Sequence, residues 1–334
     1  MKLTVPLRSL DEVLPLAEAG ADELYCGVKE PRADIEYLPN AIGISRGSFA
    51  SFEALSDAVS LAGSTGVPVV FVANSTQGRH TLAWQKEGIR RAHQAGVRRV
   101  VVTDFTLIPW IKRELPDLYI VLSTLFPVFN RESLAFAASM GIDRIVLDSL
   151  RTLREISETA ELTRRLGIDL EIFTTPQSCL LTRANCNFHV WFMSNVNRED
   201  DAVGTPSSFG APCHQGVPIS VHEKRKSGWA SAGPARCYTP PGSVEPNCVV
   251  CALWHLHRWG VPFVKIVGRH YTLENKLLYV RLAKRYLREL ETLTAETFFD
   301  KGKETYKQIM GCDCRGKRCF YPDVRTMRGH LRAF

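Results

Sequence analysis

Residues 67–104, "VPVVFVANSTQGRHTLAWQKEGIRRAHQAGVRRVVVTD", decide the fold. The stretch opens with the short apolar run "VPVVFVAN", continues through the longer amphipathic run "TLAWQKEGIRRAHQAG", and closes with a second apolar run, "RRVVVTD". Short apolar runs are typical of buried strands, and a longer run with helical periodicity between them is typical of a crossover helix. The segment therefore predicts a strand, a helix and a second strand that runs parallel to the first.

The same unit recurs along the chain. With the two runs above, eight candidate strands alternate with helical stretches that mostly end in Gly; the other six are "KLTVPL", "DELYCGV", "LYIVLST", "DRIVLDS", "LEIFTT" and "FVKIVGR". Eight units fit a closed (β/α)8 TIM-like barrel of the α/β class. A doubly wound open sheet is the alternative, but no Gly-rich phosphate turn follows the first strand. We expect the barrel to occupy residues 1–290 and a short C-terminal extension to occupy 291–334.

Composition limits the class of protein. Of the 334 residues, 45% are hydrophobic and 23% are charged, which is typical of a globular chain with a large core. No apolar run reaches the roughly 18 residues of a membrane helix. The N-terminal stretch "MKLTVPLRSLDEVL" has no apolar signal region, so the sequence predicts a cytoplasmic protein. Disulfides are disfavoured in that compartment, and the ten cysteines therefore need another explanation.

An insertion at residues 177–252 precedes the last predicted strand. It is rich in Pro, Gly and Ser without a clear period, and it contains six of the ten cysteines: Cys179, Cys186, Cys213, Cys237, Cys248 and Cys251. Loops of this length inside a compact domain are usually functional. Metal ligation can supply the folding energy that such a segment lacks. The insertion follows the seventh strand, at the end of the barrel where active sites are built.

The spacing of these cysteines leaves three interpretations open. Only Cys248 and Cys251 have the close spacing of structural zinc ligands. The ligands of Fe–S clusters are spaced more loosely, and buried thiols without a metal are the third alternative. A second metal site is predicted from three close cysteines of the C-terminal extension, with Cys237 or Cys251 as a further ligand; the three are Cys312, Cys314 and Cys319. A flexible, redox-reactive tail is the alternative for that extension.

Polar residues in the predicted strands or just after them are the candidate catalytic groups, because barrel chemistry lies at strand ends. They are Glu23, Asp104, Asp148, Lys265 and Arg269, with Ser123 and Thr124 beside them. Lys265 and Arg269 could hold a carboxylate or a phosphate as a cationic fork. The alternative for each residue is a polar position of the barrel interior or a helix cap.

The net charge of +7 is concentrated after Pro262, where Lys and Arg outnumber Asp and Glu. A basic segment of this kind could contact nucleic acid, and Tyr271, Phe320 and Tyr321 are interleaved with its cations, as in proteins that bind single-stranded RNA. A solvated helix face with core aromatics is the alternative. The sequence therefore favours an RNA substrate only slightly.

Three stretches carry a family resemblance. They are "AGADELYCGVKE" at 19–30, "LEIFTTPQSC" at 170–179 with a second Cys seven residues on, and a Cys twelve residues before the first Gly of "GVPFVKIVGR". Together they resemble the collagenase-like peptidase family U32 over residues 1–290. The resemblance implies a barrel in which four cysteines hold a 4Fe-4S cluster. Position by position these are Cys179, Cys186, Cys213 and Cys248, with Cys251 as the rival for the fourth.

The resemblance also implies a chemistry. Members of the family are linked to oxygen-independent hydroxylation of RNA bases or of a quinone precursor, with prephenate as the oxygen donor. The expectation is thus an Fe–S hydroxylase that acts on RNA or a small aromatic substrate. A peptidase is one alternative, although the chain has neither a His-Glu-x-x-His nor a Gly-x-Ser-x-Gly motif. A non-catalytic Fe–S subunit of a larger complex is the other.

Overall fold

The computed structural model describes residues 1–28, 48–74, 78–149, 151–174, 219–225, 228–235, 248–269, 271–311, 313, 320–321 and 324. For residues 78–81, 219–225 and 228–235 it describes the backbone only.

Eight parallel strands close into a barrel. Their bounds are β1 (Lys2–Pro6), β2 (Glu23–Cys26), β3 (Val69–Ala73), β4 (Arg99–Val102), β5 (Tyr119–Leu122), β6 (Arg144–Val146), β7 (Asp169–Phe173) and β10 (Phe263–Lys265). The order around the barrel is β1-β10-β7-β6-β5-β4-β3-β2, and β1 pairs with both β10 and β2 to close it. All eight predicted strands and the (β/α)8 class are confirmed.

Helices follow the strands. They are α1 (Val13–Glu18), α2 (Phe52–Thr65), α3 (Gly78–Gln94), α4 (Leu107–Glu114), α5 (Arg131–Ser139), α6 (Leu153–Leu166), α7 (Leu253–Arg258), α8 (Leu273–Arg288) and α9 (Ala295–Met310). The predicted ends are visible in α6, where the Thr152 side chain accepts a hydrogen bond from Glu155 N and Gly167 is left-handed with φ 70°. A residue without Cβ adopts that conformation without steric cost.

The insertion contains structure that its composition did not predict. Strands β8 (Ile219–Arg225) and β9 (Gly228–Ala235) form an antiparallel hairpin. The sequence of β9, "GWASAGPA", is rich in Gly, Ala and Pro. These residues are depleted in strands, so strand propensity does not predict β9. The short helix α4 was missed for a similar reason, because "LIPWIKRE" contains Pro109 near its start.

Two apolar layers follow from the alternation of side chains along each strand. A small cluster fills the barrel interior and includes Tyr25, Val101 and Val146. The larger core lies between the strands and the helices, and it includes the intervening positions Leu24 and Val102. Helix α9 belongs to this larger core, where Phe298 packs edge-on against Tyr286 of α8 with ring centroids 5.4 Å apart. Among the described residues, no helix combines the length and the apolar character needed to cross a bilayer.

Candidate active site

The carboxyl ends of the barrel strands bring polar side chains to one end of the barrel, which we call the barrel mouth. The residues that follow the strands there are Asn74, Thr103, Ser123, Thr124, Asp148, Ser149, Thr174 and Arg269, all of them buried. Some bond to one another: Asn74 Nδ2 donates to Ser123 Oγ at 3.2 Å, and Thr103 Oγ1 donates to the carbonyl of Asn74 at 3.3 Å. The mouth is therefore a polar end of the barrel.

Several buried polar atoms at this end have no hydrogen-bond partner among the described residues. They are Ser48 Oγ, Thr124 Oγ1, Ser149 Oγ, and Nε and Nη2 of Arg269. Ser48 belongs to the same end because the neighbouring Phe49 N donates to the carbonyl of Gly27, just after β2. Buried polar groups are nearly always paired, so orphaned ones need an explanation. Their grouping at one end makes the mouth the candidate ligand site.

The two candidate aspartates of the mouth differ in their surroundings. Asp104 is half-buried and accepts hydrogen bonds from Thr106 N at 2.9 Å and from Thr106 Oγ1 at 2.6 Å, which fixes the turn before α4. Asp104 therefore has a local structural role in this turn, although the N-cap residue of α4 is Thr106. Asp148, just after β6, is buried. Burial of the Tyr321 ring raises the pKa of its hydroxyl, and the nearby charge of Asp148 raises that pKa further. Asp148 thus has an aromatic hydroxyl near it at the mouth.

Glu23 lies elsewhere. It opens β2, so it is at the amino end of the strand and at the opposite end of the barrel from Asp148. Arg144 donates to both of its carboxylate oxygens, at 2.7 and 2.9 Å, Arg99 forms a further ion pair with it, and Thr4 Oγ1 donates at 3.1 Å. The expectation of a mouth position for Glu23 was wrong, because the first residue of a parallel strand lies at the far end from the mouth.

Lys265 connects the interior to the mouth. Its Nζ lies 3.2 Å from Glu171 Oε1 and 4.1 Å from the centroid of the Tyr25 ring. Glu171 also accepts from Arg144 at 3.1 Å, which joins Lys265 to the pair formed by Arg144 and Glu23. Burial alone would raise the pKa of Glu171, but the charges of Lys265 and Arg144 outweigh it and lower that pKa. Burial lowers the pKa of Lys265, and Glu171 opposes that shift.

This chain of ion pairs, Glu23–Arg144–Glu171–Lys265, is a group of interacting residues that the sequence did not predict as a unit; we call it the interior ion network. Each member stands two positions before a residue of the inner apolar cluster, as Arg144 does before Val146. A charged residue in the same period as the inward-facing apolar residues was the available signal, because side chains of that period share one face.

The cysteine predictions fall partly outside the described residues. Cys179, Cys186, Cys213, Cys237, Cys312, Cys314 and Cys319 all lie outside them. Cys248 and Cys251 are described, and both are half-buried against the main core, on either side of Val249 and Val250. Within the described part of the chain, no three metal-binding side chains come together. In donor chemistry the two described thiols fit an Fe–S cluster or zinc.

Cys26 has the environment of a core thiol, as its sequence context predicts. It is fully buried in the main core, and burial raises its pKa to about 12, whereas the charge of Arg269 lowers it.

Because the thiolate is the reactive form, we expect Cys26 of the native protein to resist iodoacetamide at pH 8 and to react fully after unfolding. Peptide mass spectrometry measures both fractions. Rapid alkylation of native Cys26 would mean that the end of β2 opens in solution.

Comparison with known proteins places the chain. The family model described as peptidase family U32 matches residues 8–323. The chain belongs to peptidase family U32. One curated relative, the tRNA hydroxylation protein P1 of Bacillus subtilis (strain 168), is 22% identical over 186 residues, which cover 55% of this chain and 41% of that protein. The chain thus spans less than half the length of that relative.

Solved structures resemble this U32 chain at low identity. The U32 peptidase Mk0906 is 15% identical, with a TM-score of 0.49 over 80% of this chain and 93% of that one. An octameric Rubisco from Pyrococcus horikoshii OT3 is 11% identical, with a TM-score of 0.48 over 93% of this chain and 64% of that one.

In this U32 chain the C-terminal extension reaches the cysteine region, the part of the chain to which the predicted second metal site would join it; the metal site itself stays a prediction. Phe320 N donates to the carbonyl of Cys248 at 3.0 Å, and Tyr321 and Val324 are buried in the main core. Phe320 and Tyr321 pack edge-on with centroids 5.1 Å apart. The aromatic pair just after Cys319 was the signal in the sequence. These two rings are packed, so they do not form an exposed stacking surface.

Proposed function

We propose that this U32 chain is an iron–sulfur enzyme that hydroxylates a base in RNA without molecular oxygen. The observation that carries the proposal is the position of the cysteine-bearing insertion. It follows β7, whose carboxyl end lies at the mouth, and its last cysteines, Cys248 and Cys251, pack against the core of the same barrel. A cluster held there would lie near the orphaned polar groups of the mouth. Active sites of such barrels are built at that end.

The RNA substrate is supported by one relative. The tRNA hydroxylation protein P1 matches over part of this chain, and its name gives tRNA as the substrate. The net charge of +7 is compatible with a polyanionic partner. A small aromatic substrate is the other member of the class implied by the family resemblance, and prephenate would be the oxygen donor. A partner subunit would be needed only if this chain bound the cluster but did not carry out the hydroxylation itself.

The residues that would hold the cluster are Cys179, Cys186, Cys213 and Cys248, with Cys251 as the rival for the fourth position. When bound, a 4Fe-4S cluster supplies electron transfer or a Lewis-acidic iron. The protein orients the substrate and excludes water. At the mouth, Asp148 would hold or accept a proton, and the fixed positive charge of Arg269 would bind an anionic group. Lys265, one step further in, would position that anion through its charge.

The test begins with metal content. After anaerobic purification we expect about four iron atoms and about four sulfides per chain, as for one 4Fe-4S cluster held by four cysteines. A Cys179→Ala, Cys186→Ala double variant should lose both, and a Cys248→Ala variant should lose most of them, whereas the matched variants Cys251→Ala and Cys26→Ala should retain them. Loss in Cys251→Ala alone would reassign the fourth ligand. Iron above about four per chain, lost when Cys312, Cys314 and Cys319 are replaced, would support the second site.

The second step is product detection. The anaerobic protein is incubated with RNA and prephenate, and the digested nucleosides are examined by mass spectrometry for the gain of one oxygen atom. The gain should require the cysteines that hold iron. Zinc alone, or no metal, would overturn the iron–sulfur proposal, and peptide cleavage that survives removal of the cysteines would favour the peptidase. An intact cluster without any hydroxylated nucleoside would favour the non-catalytic subunit.

A further inference from the structure

Arg269 carries a buried positive charge without a described counter-charge. The residue is only 4% exposed, so water does little to stabilise its guanidinium group. Burial lowers the pKa of Arg269, but an arginine in a protein stays protonated. A buried charge is normally paired, since leaving water costs several kcal/mol or more. The charge of Arg269 therefore needs an explanation from its surroundings.

The neighbouring cations are each neutralised by their own partner. Lys265 is paired with Glu171 at 3.2 Å, and Lys276 is paired with Glu12 at 2.6 Å. Arg269 lies close enough to both lysines for its charge to lower their pKa values, after the larger effect of burial. Of these three cations, then, two are matched by described carboxylates, and the third is matched by none in the described part of the chain. Among the described residues the local excess is one positive charge, which one anion would neutralise.

The free edge of the guanidinium has a definite shape. Nε and Nη2 of Arg269 are the atoms without an acceptor among the described residues. By the covalent geometry of arginine, these two nitrogens share one edge, and their N–H bonds point in parallel. Such an edge matches two oxygens of a carboxylate or a phosphate in a bidentate pair. The edge is thus suited to an oxyanion and not to a single neutral acceptor.

A glycine makes room for this arrangement. A Cβ atom built on Gly27 would lie 2.9 Å from Arg269 Nη1, closer than real Cβ atoms come to a neighbour, and 3.0 Å from Ser48 Oγ, closer than nearly all of them come. Arg269 and Ser48 therefore lie together over the backbone just after β2. The hydroxyl of Ser48 is buried and has no partner within the part of the chain that the structure describes. It is a further buried donor near the guanidinium, on the side of Nη1.

We propose that Arg269 binds a small oxyanion, a carboxylate or a phosphate, at the barrel mouth. The ligand accepts two parallel hydrogen bonds from Nε and Nη2 of Arg269, while Gly27 and Ser48 lie next to Nη1 and hold the other side of the guanidinium. The site uses none of the cysteines, so it stands or falls separately from the iron–sulfur proposal. It goes further than the anion-binding role given to Arg269 above, because it names the two donor atoms and predicts binding of a small oxyanion without the cluster.

The experiment is isothermal titration calorimetry of the full chain, in buffer free of other oxyanions, with inorganic phosphate and with malonate as separate probes. We expect saturable binding of at least one probe with one site per chain. Arg269→Gln should weaken it at least about tenfold, the effect of losing about one charged hydrogen bond. Gly27→Ala keeps every charge but places a methyl group against Arg269 Nη1, so it should weaken binding as well. Arg154→Gln, the same change at an 82% exposed side chain, should leave it unaltered.

The outcomes separate clearly. Binding of phosphate alone identifies a phosphate group as the ligand chemistry, and binding of malonate alone identifies a carboxylate. Without any probe, Arg269→Gln should raise the melting temperature, since it removes a buried charge, and a purely structural arginine would give the opposite shift. If Arg269→Gln fails to fold, the Gly27→Ala titration decides. Wild-type affinity in the Arg269→Gln variant, or no saturable binding of either probe by the wild type, overturns the proposal.

Discussion

Replacement of Arg144 by methionine should lower the free energy of unfolding by about 3–5 kcal/mol, the range for breaking a buried ion pair by removing one partner. Arg144 is 1% exposed and donates to two carboxylates, Glu23 and Glu171, which are also buried. The methionine would leave Glu23 with only Arg99 and Thr4 as partners. Urea denaturation followed by circular dichroism at pH 7 measures the change.

Two further variants test the electrostatic origin of this loss. Arg154→Met removes an arginine that is 82% exposed and paired only on the surface, so it should cost less than about 1 kcal/mol. The double variant Arg144→Met, Glu23→Gln leaves Glu171 paired with Lys265 and should recover part of the stability, because it removes an uncompensated carboxylate. A double variant as unstable as the sum of its single changes would show that packing, not charge, is lost.

The pH dependence of the wild type has a definite sign. The pKa of Glu171 is lower in the folded chain than the ordinary carboxyl value of 4.5, since its cationic partners outweigh burial. The unfolded chain therefore binds this proton more readily, and stability falls as the pH falls through the folded value. The contribution of Glu171 is complete above pH 4.5 and is lost below it.

Replacement of Lys276 by methionine should also cost about 3–5 kcal/mol, for the same reason. Lys276 on α8 and Glu12 after β1 are both fully buried, with Nζ 2.6 Å from Oε2. The change leaves Glu12 with the Arg8 backbone N–H at 2.9 Å and a more distant guanidinium at 3.7 Å. Urea denaturation followed by circular dichroism at pH 7 measures the loss.

Lys284→Met is the matched control on the same helix. Lys284 pairs with Asp22 at 2.5 Å, but the two side chains are 19% and 34% exposed, so water screens the pair. We expect a loss of less than about 1 kcal/mol. Equal losses in the two variants would contradict the role assigned to burial of the Lys276–Glu12 pair.

The barrel was predictable because its pattern is local and repeated. Each strand is a short apolar run such as "VVFVA". The ends of α2 and α6 are indicated in the sequence by Gly66 and Gly167. Turn chemistry and period act within about twenty residues, which sequence reasoning can follow. Helix α4 and the hairpin β8–β9 do not have such signals, since Pro109 and the Gly and Ala of β9 oppose their own elements.

The site was less predictable because it depends on distance in space. Arg269 was recognised as a cationic group after the last strand. Its surroundings were not predictable, because Gly27 and Ser48, which lie beside it in space, are more than two hundred positions away in the chain. The contact between Phe320 and Cys248 likewise joins two segments that are far apart in the chain, and no local pattern in either segment indicates it. Glu23 was placed at the wrong end of the barrel, because the apolar run predicts the strand but not the residue at which the strand begins.

The position of β10 in the barrel has a consequence for biosynthesis. β10 lies between β7 and β1, yet it is translated about ninety residues after β7, beyond the whole insertion. A nascent chain that has reached Thr174 has seven strands, and two of them, β1 and β7, expose an open edge that can pair with another chain. The barrel can therefore close only after β10 has been translated and has left the ribosome. During that interval, a chaperone that covers strand edges would protect the chain from aggregation.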